Sequence, residues 1–259
     1  MNYETLAIVV DGPVATVTLN RPEARNALSH QMVADLLDFF QSIRESREVR
    51  VVVLRAAGKT FCVGGDIRDL SAPRSAEEEL AALARLDSML RAINRSPQVV
   101  IARVHGAVLG GGIGLVCVSD IAIASTAARF GLPEVRLGLA PSLISPFVVE
   151  RLGLTQARRW MLTGTQFDGA AAQQVGLIHE VCEEPALDER VAATVHEVLQ
   201  CSPNALAECK KLLFEVMENP ETLDYRVDLL NRLRRSEEGQ EGMRAFLEKR
   251  PARWVPQDT

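Results

Sequence analysis

Residues 105 to 114 read HGAVLGGGIG, with Gly110, Gly111, Gly112 and Gly114 crowded into one short stretch. Bare backbone of this kind can cradle a phosphate, bind a dinucleotide, let helices pack tightly, or bring peptide N–H groups against a ligand. The stretch follows QVVIARVH (residues 98 to 105), which reads as a buried strand, and precedes the apolar segment GLVCVS and a further strand, DIAIAS (residues 120 to 125). A strand that ends in a glycine turn and then opens a helix is an α/β pattern.

The same arrangement occurs earlier. VRVVVLRA (residues 49 to 56) leads through GKTFCVGGD to Gly64, Gly65 and Asp66. Upstream, two β-branched runs (residues 5 to 10 and 13 to 19) are split by Asp11, Gly12 and Pro13, which is hairpin chemistry. The irregular loop RPEARNALS follows, and Ser29 is the expected N-cap of a helix carrying Val33, Leu36, Leu37, Phe40 and Ile43 at helical spacing. A second helix starts at Glu77, Glu78 and Glu79, and its inward face is expected to be Leu80, Leu83, Leu86, Leu90 and Ile93. From residue 185 to about residue 250 the pattern is helical, with breaks at Cys201-Ser202-Pro203 and Asn219-Pro220. Two regions are expected: an α/β body over residues 1–185 and a helical region over 186–259.

At 259 residues and 47% hydrophobic content the chain can bury a large core. Its 29 basic and 34 acidic residues are interspersed, giving a formal charge of −5. No basic arm or patch points to nucleic acid or to a membrane surface, so a small or acyl-type ligand is expected. The five cysteines are scattered without a CxxC spacing and read as reduced thiols. No uncharged apolar run reaches about 18 residues and no leader pattern opens the chain, so a cytoplasmic protein is expected.

Several decoys fall away. Gly58-Lys59-Thr60 looks like the tail of a phosphate loop, but Val53 stands where its first glycine belongs. Gly112-Ile113-Gly114 is half a dinucleotide fingerprint with no third glycine, although Glu134 stands near the offset of a ribose-binding acid. There is no Gly-x-Ser-x-Gly elbow. His30, His105, His179 and His196 lack ligand-like spacing, so no metal is assigned, and each reads as a surface, strand-end or satisfied core residue.

Two glycine turns remain, each following a strand. If neighbouring strands bring them together, two unpaired backbone N–H groups can converge on one oxygen, which is an oxyanion hole. Without a nucleophilic Ser or Cys, such a hole suits a thioester polarised toward its enolate while a base moves a proton or water. FGLPEVRLGL offers Glu134 among Phe130, Leu132, Pro133, Val135 and Leu137, where burial would raise its pKa.

RPEARNALS, GKTFCVGGDI, HGAVLGGGIGLVCVSDIAIA, ARFGLPEVRLGLAPS and EGMRAFLEKRPARW occur in the order found in the crotonase, or enoyl-CoA hydratase/isomerase, superfamily, which the chain resembles over essentially its whole length. The resemblance implies a spiral of ββα units with a C-terminal helical region that builds trimers, or hexamers as pairs of trimers. It implies that Gly65 and Gly111, with Gly64 and Gly110 beside them, present the oxyanion N–H groups to an acyl-CoA thioester, next to Pro133 and Glu134. By the same likeness Ala24, Arg25 and Ala27 line the CoA path, Asp66 and Ile67 meet the adenine end, and Phe246 and Lys249 reach CoA from the tail. No cofactor beyond the CoA of the substrate is expected.

One departure bears on the chemistry. Two-base hydratases of this superfamily carry a glutamate two residues after the glycine triplet, and here that position is Gly114, so Glu134 is the one carboxylate left. Together with the segment Gly138-Leu139-Ala140-Pro141-Ser142-Leu143-Ile144-Ser145-Pro146-Phe147, this resembles the branch of 3-methylglutaconyl-CoA and isohexenylglutaconyl-CoA hydratases. Hydration of a branched glutaconyl-type thioester is the expected activity. Double-bond isomerisation through the single glutamate and catalytically silent acyl-CoA binding stay open as alternatives.

Overall fold

The structure, a computed structural model, describes residues 3 to 256. The two β-branched runs form an antiparallel hairpin of β1 (Leu6–Asp11) and β2 (Val14–Leu19). Burial alternates strictly along β2, whereas β1, on the sheet edge, is mostly exposed. Helix α1 (His30–Ser42) begins where Ser29 accepts the Met32 N–H, and it leads to β3 (Val51–Ala56), which pairs in parallel with β2.

After β3 come α2 (Ile67–Ser71), α3 (Ala76–Asn94) and β4 (Val99–Val104), which lies parallel to β3. Ser75 and Glu78 close a capping box at the start of α3. The chain then leaves the sheet for a three-residue strand, β5 (Ala107–Leu109), before α4 (Gly111–Cys117). β6 (Ile121–Ser125) returns beside β4, and β7 (Arg129–Gly131) leaves again to lie parallel to β5. After α5 (Ser145–Thr163), β8 (Gln166–Asp168) closes the small sheet in the order β5-β7-β8. After α6 (Gly169–Gln174), β9 (Glu180–Cys182) completes the large one in the order β1-β2-β3-β4-β6-β9. In β4-β5-α4 and β6-β7-α5 the chain lays one strand in the large sheet and the next in the small one before a helix follows, which makes a spiral of ββα units.

The helical region starts at α7 (Leu187–Leu199) and continues through α8 (Pro203–Glu218), α9 (Leu223–Arg235) and α10 (Glu237–Glu248). Period-two alternation decides which core each strand residue joins. Val52 and Leu54 face the main core with Leu36, Phe61 and Met89, while Val51 and Val53 face Leu187, Val191, Val198 and Leu199 of α7. The first tail helix therefore covers the outer face of the sheet, each fully buried aliphatic side chain contributing about 1.5–3 kcal/mol.

Three expectations are corrected. The glycine run does not come straight off the large-sheet strand, because β5 of the small sheet lies between them. Leu80 does not face inward: it is 70% exposed, and the buried positions of α3 are Met89, Leu90 and Ile93. Residues 145 to 163 and the short strands β5, β7, β8 and β9 were not anticipated at all.

Candidate active site

Backbone pairing draws the two glycine turns together. Cys62 donates its N–H to Ala107 O (3.2 Å) and accepts from Leu109 N–H (2.9 Å), so the segment after β3 is stitched to β5. Leu28 N–H donates to Gly64 O (2.8 Å) and Asp66 N–H donates to Leu28 O (3.1 Å). These two bonds flank Gly65 in a parallel bridge, which turns the Gly65 N–H away from Leu28. Gly110 N–H is taken by Gly131 O (3.0 Å), whereas Gly111, the first residue of α4, keeps its N–H outside the helix ladder. Neither the Gly65 nor the Gly111 N–H finds a backbone acceptor among the described residues.

Close approach explains the bare backbone. Gly64 has φ +93, and a Cβ there would lie 3.0 Å from Leu109 O and 3.1 Å from Gly111 N. Gly110 has φ +51, and a Cβ there would lie 2.7 Å from Glu134 Oε1. The two turns and the carboxylate therefore share one packed corner, and the pairing expected of Gly65, Gly111 and Glu134 is what the structure brings together.

Glu134 sits in the first turn of a 3₁₀ segment, Pro133–Leu137, which Pro133 starts with its fixed φ. Its Oε2 is buried and has no hydrogen-bond partner among the described residues. Burial pushes the carboxyl's pKa above the ordinary glutamate value, and a hydrogen bond from its own backbone N–H opposes that shift in part.

Gly65, Gly111 and Glu134 line a cleft of about 420 Å³, a size suited to an acyl group. Its apolar wall comes from Val33 of α1, Ala82, Leu83 and Leu86 of α3, and Leu143 and Ile144 before α5. The position of the absent second carboxylate is filled: a Cβ on Gly114 would meet Ile144 Cγ2 at 2.5 Å and Leu90 Cδ2 at 3.7 Å. What the sequence suggests as a vacancy is an apolar contact between α4, α3 and the residues leading into α5.

The other expected binding residues spread around this corner. Asp66 also lines the cleft, but its carboxylate is engaged by Arg21 (3.1 Å) and by the Arg68 N–H at the start of α2. Ala24 and Arg25 lie on the 3₁₀ turn Pro22–Ala24 and its left-handed cap, Ala27 is buried, and Ile67 is exposed; none of the four lines the cleft. Phe246 is 83% exposed on α10, and Lys249 is its left-handed C-cap. Residues that sequence reasoning left out of the site also line the cleft: His30, Asp69, Leu70, Arg74, Glu79, Leu139 and Pro141. His30 read as a surface or core residue, and the others lie on loops or helix starts without periodic signal.

Two peptide N–H groups without a backbone acceptor, beside a half-buried carboxylate whose Oε2 has no partner among the described residues, are an arrangement suited to holding a thioester oxygen while a carboxylate moves protons. Residues 10–257 match the Enoyl-CoA hydratase/isomerase model, and the chain belongs to that family. It is an enzyme acting on enoyl-CoA, with the crotonase fold. A probable enoyl-CoA hydratase of Mycobacterium bovis is 32% identical over 253 residues, covering 96% of this chain and 97% of its own length. An enoyl-CoA hydratase of Alternaria alternata is 36% identical over 201 residues; the match covers 76% of this chain and 65% of that relative's length. A trans-2-decenoyl-[acyl-carrier-protein] isomerase of Streptococcus mutans is 28% identical, covering 96% of this chain and 97% of its own. The solved structure of Pseudomonas aeruginosa AtuE superposes with a TM-score of 0.95 at 43% identity, over 98% of this chain and 100% of that one.

Proposed function

We propose that this chain is an enoyl-CoA hydratase that adds water across the 2,3-double bond of a branched, glutaconyl-type acyl-CoA thioester. One observation carries the reading: Glu134, half-buried with its Oε2 enclosed and without a hydrogen-bond partner among the described residues, stands against the glycine turn that carries the Gly111 N–H. The thioester oxygen accepts from the Gly65 and Gly111 N–H groups. Ionised Glu134 takes a proton from water as the water oxygen bonds to C3, and the π electrons move onto the thioester oxygen. The enolate then collapses and takes that proton from Glu134 at C2, which returns the carboxylate to its ionised state.

In this scheme Ala24, Arg25 and Ala27 guide the CoA chain, with Asp66 and Ile67 at its adenine end. Phe246 and Lys249 reach it across a subunit boundary in a trimer or a pair of trimers. The branch of the family is supported by Gly114 and by the segment from Gly138 to Phe147, whose Leu143 and Ile144 line the cleft.

The test is turnover of a panel of 2-enoyl and 3-enoyl thioesters, including 3-methylglutaconyl-CoA. A 3-hydroxyacyl product is expected, and in deuterated water the deuterium at C2 and the hydroxyl at C3 should lie on the same face because one carboxylate serves both. A second reading, double-bond isomerisation with Glu134 carrying a proton from C2 to C4, is favoured by Ile144 standing where a second water-orienting carboxylate would be. Conversion of 3-enoyl to 2-enoyl thioesters with no 3-hydroxyacyl product would replace the first reading with this one.

A further inference from the structure

His105 ends the stretch that leads from β4 toward the glycine run, and the chemistry above leaves it without a task. It is 6% exposed and stands two residues from Arg103, so both side chains leave the sheet on the side that α7 covers. Asp188, in the first turn of α7, accepts from Arg103 Nε at 2.7 Å and from Nη2 at 3.3 Å, which holds the guanidinium. Arg103 Nη1 then lies 3.1 Å from His105 Nδ1. A guanidinium only donates, so Nδ1 is the acceptor of a neutral ring and the proton is on Nε2. That Nε2–H donates to Gly58 O at 2.9 Å.

Gly58 lies at the start of the segment that carries Gly65. The turn over residues 57–60 is held by side chains rather than by packing, since Gly58 and Lys59 are exposed. Asn26 Nδ2 donates to Ala57 O at 2.9 Å and to Thr60 O at 2.7 Å, which secures one side. His105 secures the other twice over: its ring binds Gly58 O, and its own carbonyl accepts the Phe61 N–H at 3.1 Å. The two stretches pass so closely that a Cβ on Gly106 would lie 2.0 Å from Lys59 O. Beyond Phe61 the chain runs through Cys62, paired to β5, straight to Gly64 and Gly65, so it has no slack in which to absorb a slide of the turn.

We propose that His105, oriented by Arg103 and Asp188, is a positioning residue for the oxyanion donor: by fixing the Gly58 carbonyl it fixes where the Gly65 N–H points. This rests on the placement of the thioester oxygen at Gly65 and Gly111 in the reading above, and it holds for hydration and isomerisation alike.

Two substitutions separate this role from mere pairing of a buried guanidinium. In His105→Asn the amide oxygen stands near the place of Nδ1 and still accepts from Arg103, but the side chain is too short to reach Gly58 O. In His105→Gln the amide nitrogen stands near the place of Nε2 and donates to Gly58 O. The probe is para-dimethylaminocinnamoyl-CoA, whose absorption moves to longer wavelength as electron density is drawn onto the thioester oxygen.

Bound to the wild-type protein the probe should absorb to the red of its free form. In His105→Asn most of that shift should vanish, and kcat on the thioester selected by the panel should fall about ten- to a hundredfold, the cost of a displaced oxyanion donor, with KM near the wild-type value. His105→Gln should restore most of both. Wild-type kcat and shift in His105→Asn overturn the inference, as does a loss of kcat with the full red shift. Equal losses in the two variants also overturn it, because the Nε2 donor would then not be what counts. Asp188→Asn, at a side chain 65% exposed and so harmless to the core, loosens Arg103 and should cost about two- to fivefold in kcat with a matching part of the shift. Should His105→Asn fail to fold, full kcat and full shift in Asp188→Asn overturn the inference instead. No red shift in the wild type removes the placement of the thioester oxygen and this role with it, whereas absence of a 3-hydroxyacyl product strikes the hydratase reading alone.

Discussion

Glu134 is poised by what surrounds it more than by what touches it. Loss of water raises its pKa, and Oε2 has no donor to stabilise the charge. A stronger base results, so the acid limb of kcat/KM should lie above the ordinary glutamate value. Glu134→Gln should cost about a hundred- to ten-thousandfold in kcat, the usual worth of a positioned acid–base group, while thioester binding persists. The same burial has a sign for stability. A carboxyl whose folded pKa is raised contributes stability below its unfolded value, and loses it as pH rises through the folded value. Wild type should therefore lose stability relative to Glu134→Gln as pH climbs from about 4.5, and parallel urea melts across that range would show it; a constant difference would mean the carboxyl titrates normally. Gly110 makes the complementary case. An alanine there would place Cβ 2.7 Å from Glu134 Oε1 at a φ of +51, so Gly110→Ala should displace the base and cut kcat about a hundredfold. Retention of full kcat would show that the carboxylate works from some other position.

At the scale of elements, α4 is placed by what its glycines exclude. Gly114 lets Ile144 Cγ2 sit against α4, and Leu90 of α3 completes the contact. Gly114→Ala should cost about 1–3 kcal/mol through overpacking, and much less in an Ile144→Ala background; denaturant midpoints in a double-mutant cycle would measure the coupling, and strict additivity would refute the contact. The sequence could reveal Gly114 as a departure but not that an isoleucine thirty residues on takes the space, because a tertiary neighbour leaves no local trace. Much else was legible. The hairpin is marked by Asp11-Gly12 between two β-branched runs, and β3 and β4 stand out because strands buried on both faces are continuous apolar runs. The three-residue strands β5, β7 and β8 are too short to carry a period, and Gly153, with φ 69 and ψ 158, interrupts the pattern of α5. Leu80 has the right spacing for the inner face of α3, but spacing cannot tell how far along a helix the core extends. For the site, the two glycine turns and Glu134 stand out by residue type, the resemblance singles out Gly65 and Gly111 within the turns, and the structure lines one cleft with all three. Arg74 and His30 could not be read, since a polar residue on a loop or at the start of a helix looks the same in sequence whether it faces solvent or a cleft.

On the scale of the whole molecule, the helical tail presents two faces of opposite character. Inward, α8 is tethered by Lys210, whose Nζ reaches Asp120 Oδ2 at 2.7 Å and Gln98 O at 3.1 Å beneath the sheet. Outward, apolar residues recur at helical spacing: Leu213, Val216 and Met217 on α8, Leu223, Val227 and Leu230 on α9, and Met243, Phe246 and Leu247 on α10, all exposed. Three helices with unpartnered apolar stripes exceed what scattered surface residues explain, and such surface is stable in water when another chain covers it. A second copy of this chain is the natural cover, given the proposed reach of Phe246 and Lys249 to a neighbour's CoA. Light scattering should therefore report a mass of three chains or a multiple of three. Combining Leu230→Glu with Phe246→Glu places charge on two of the stripes, at residues 67% and 83% exposed and so free of any role in the chain's own core. That variant should fold, with its circular dichroism unchanged, yet run at the mass of one chain and bind acyl-CoA more weakly if the tail completes a neighbour's site. A wild-type protein that stays monomeric at working concentration would refute the assembly. An assembly that dissociates with no loss of CoA affinity would instead confine Phe246 to packing.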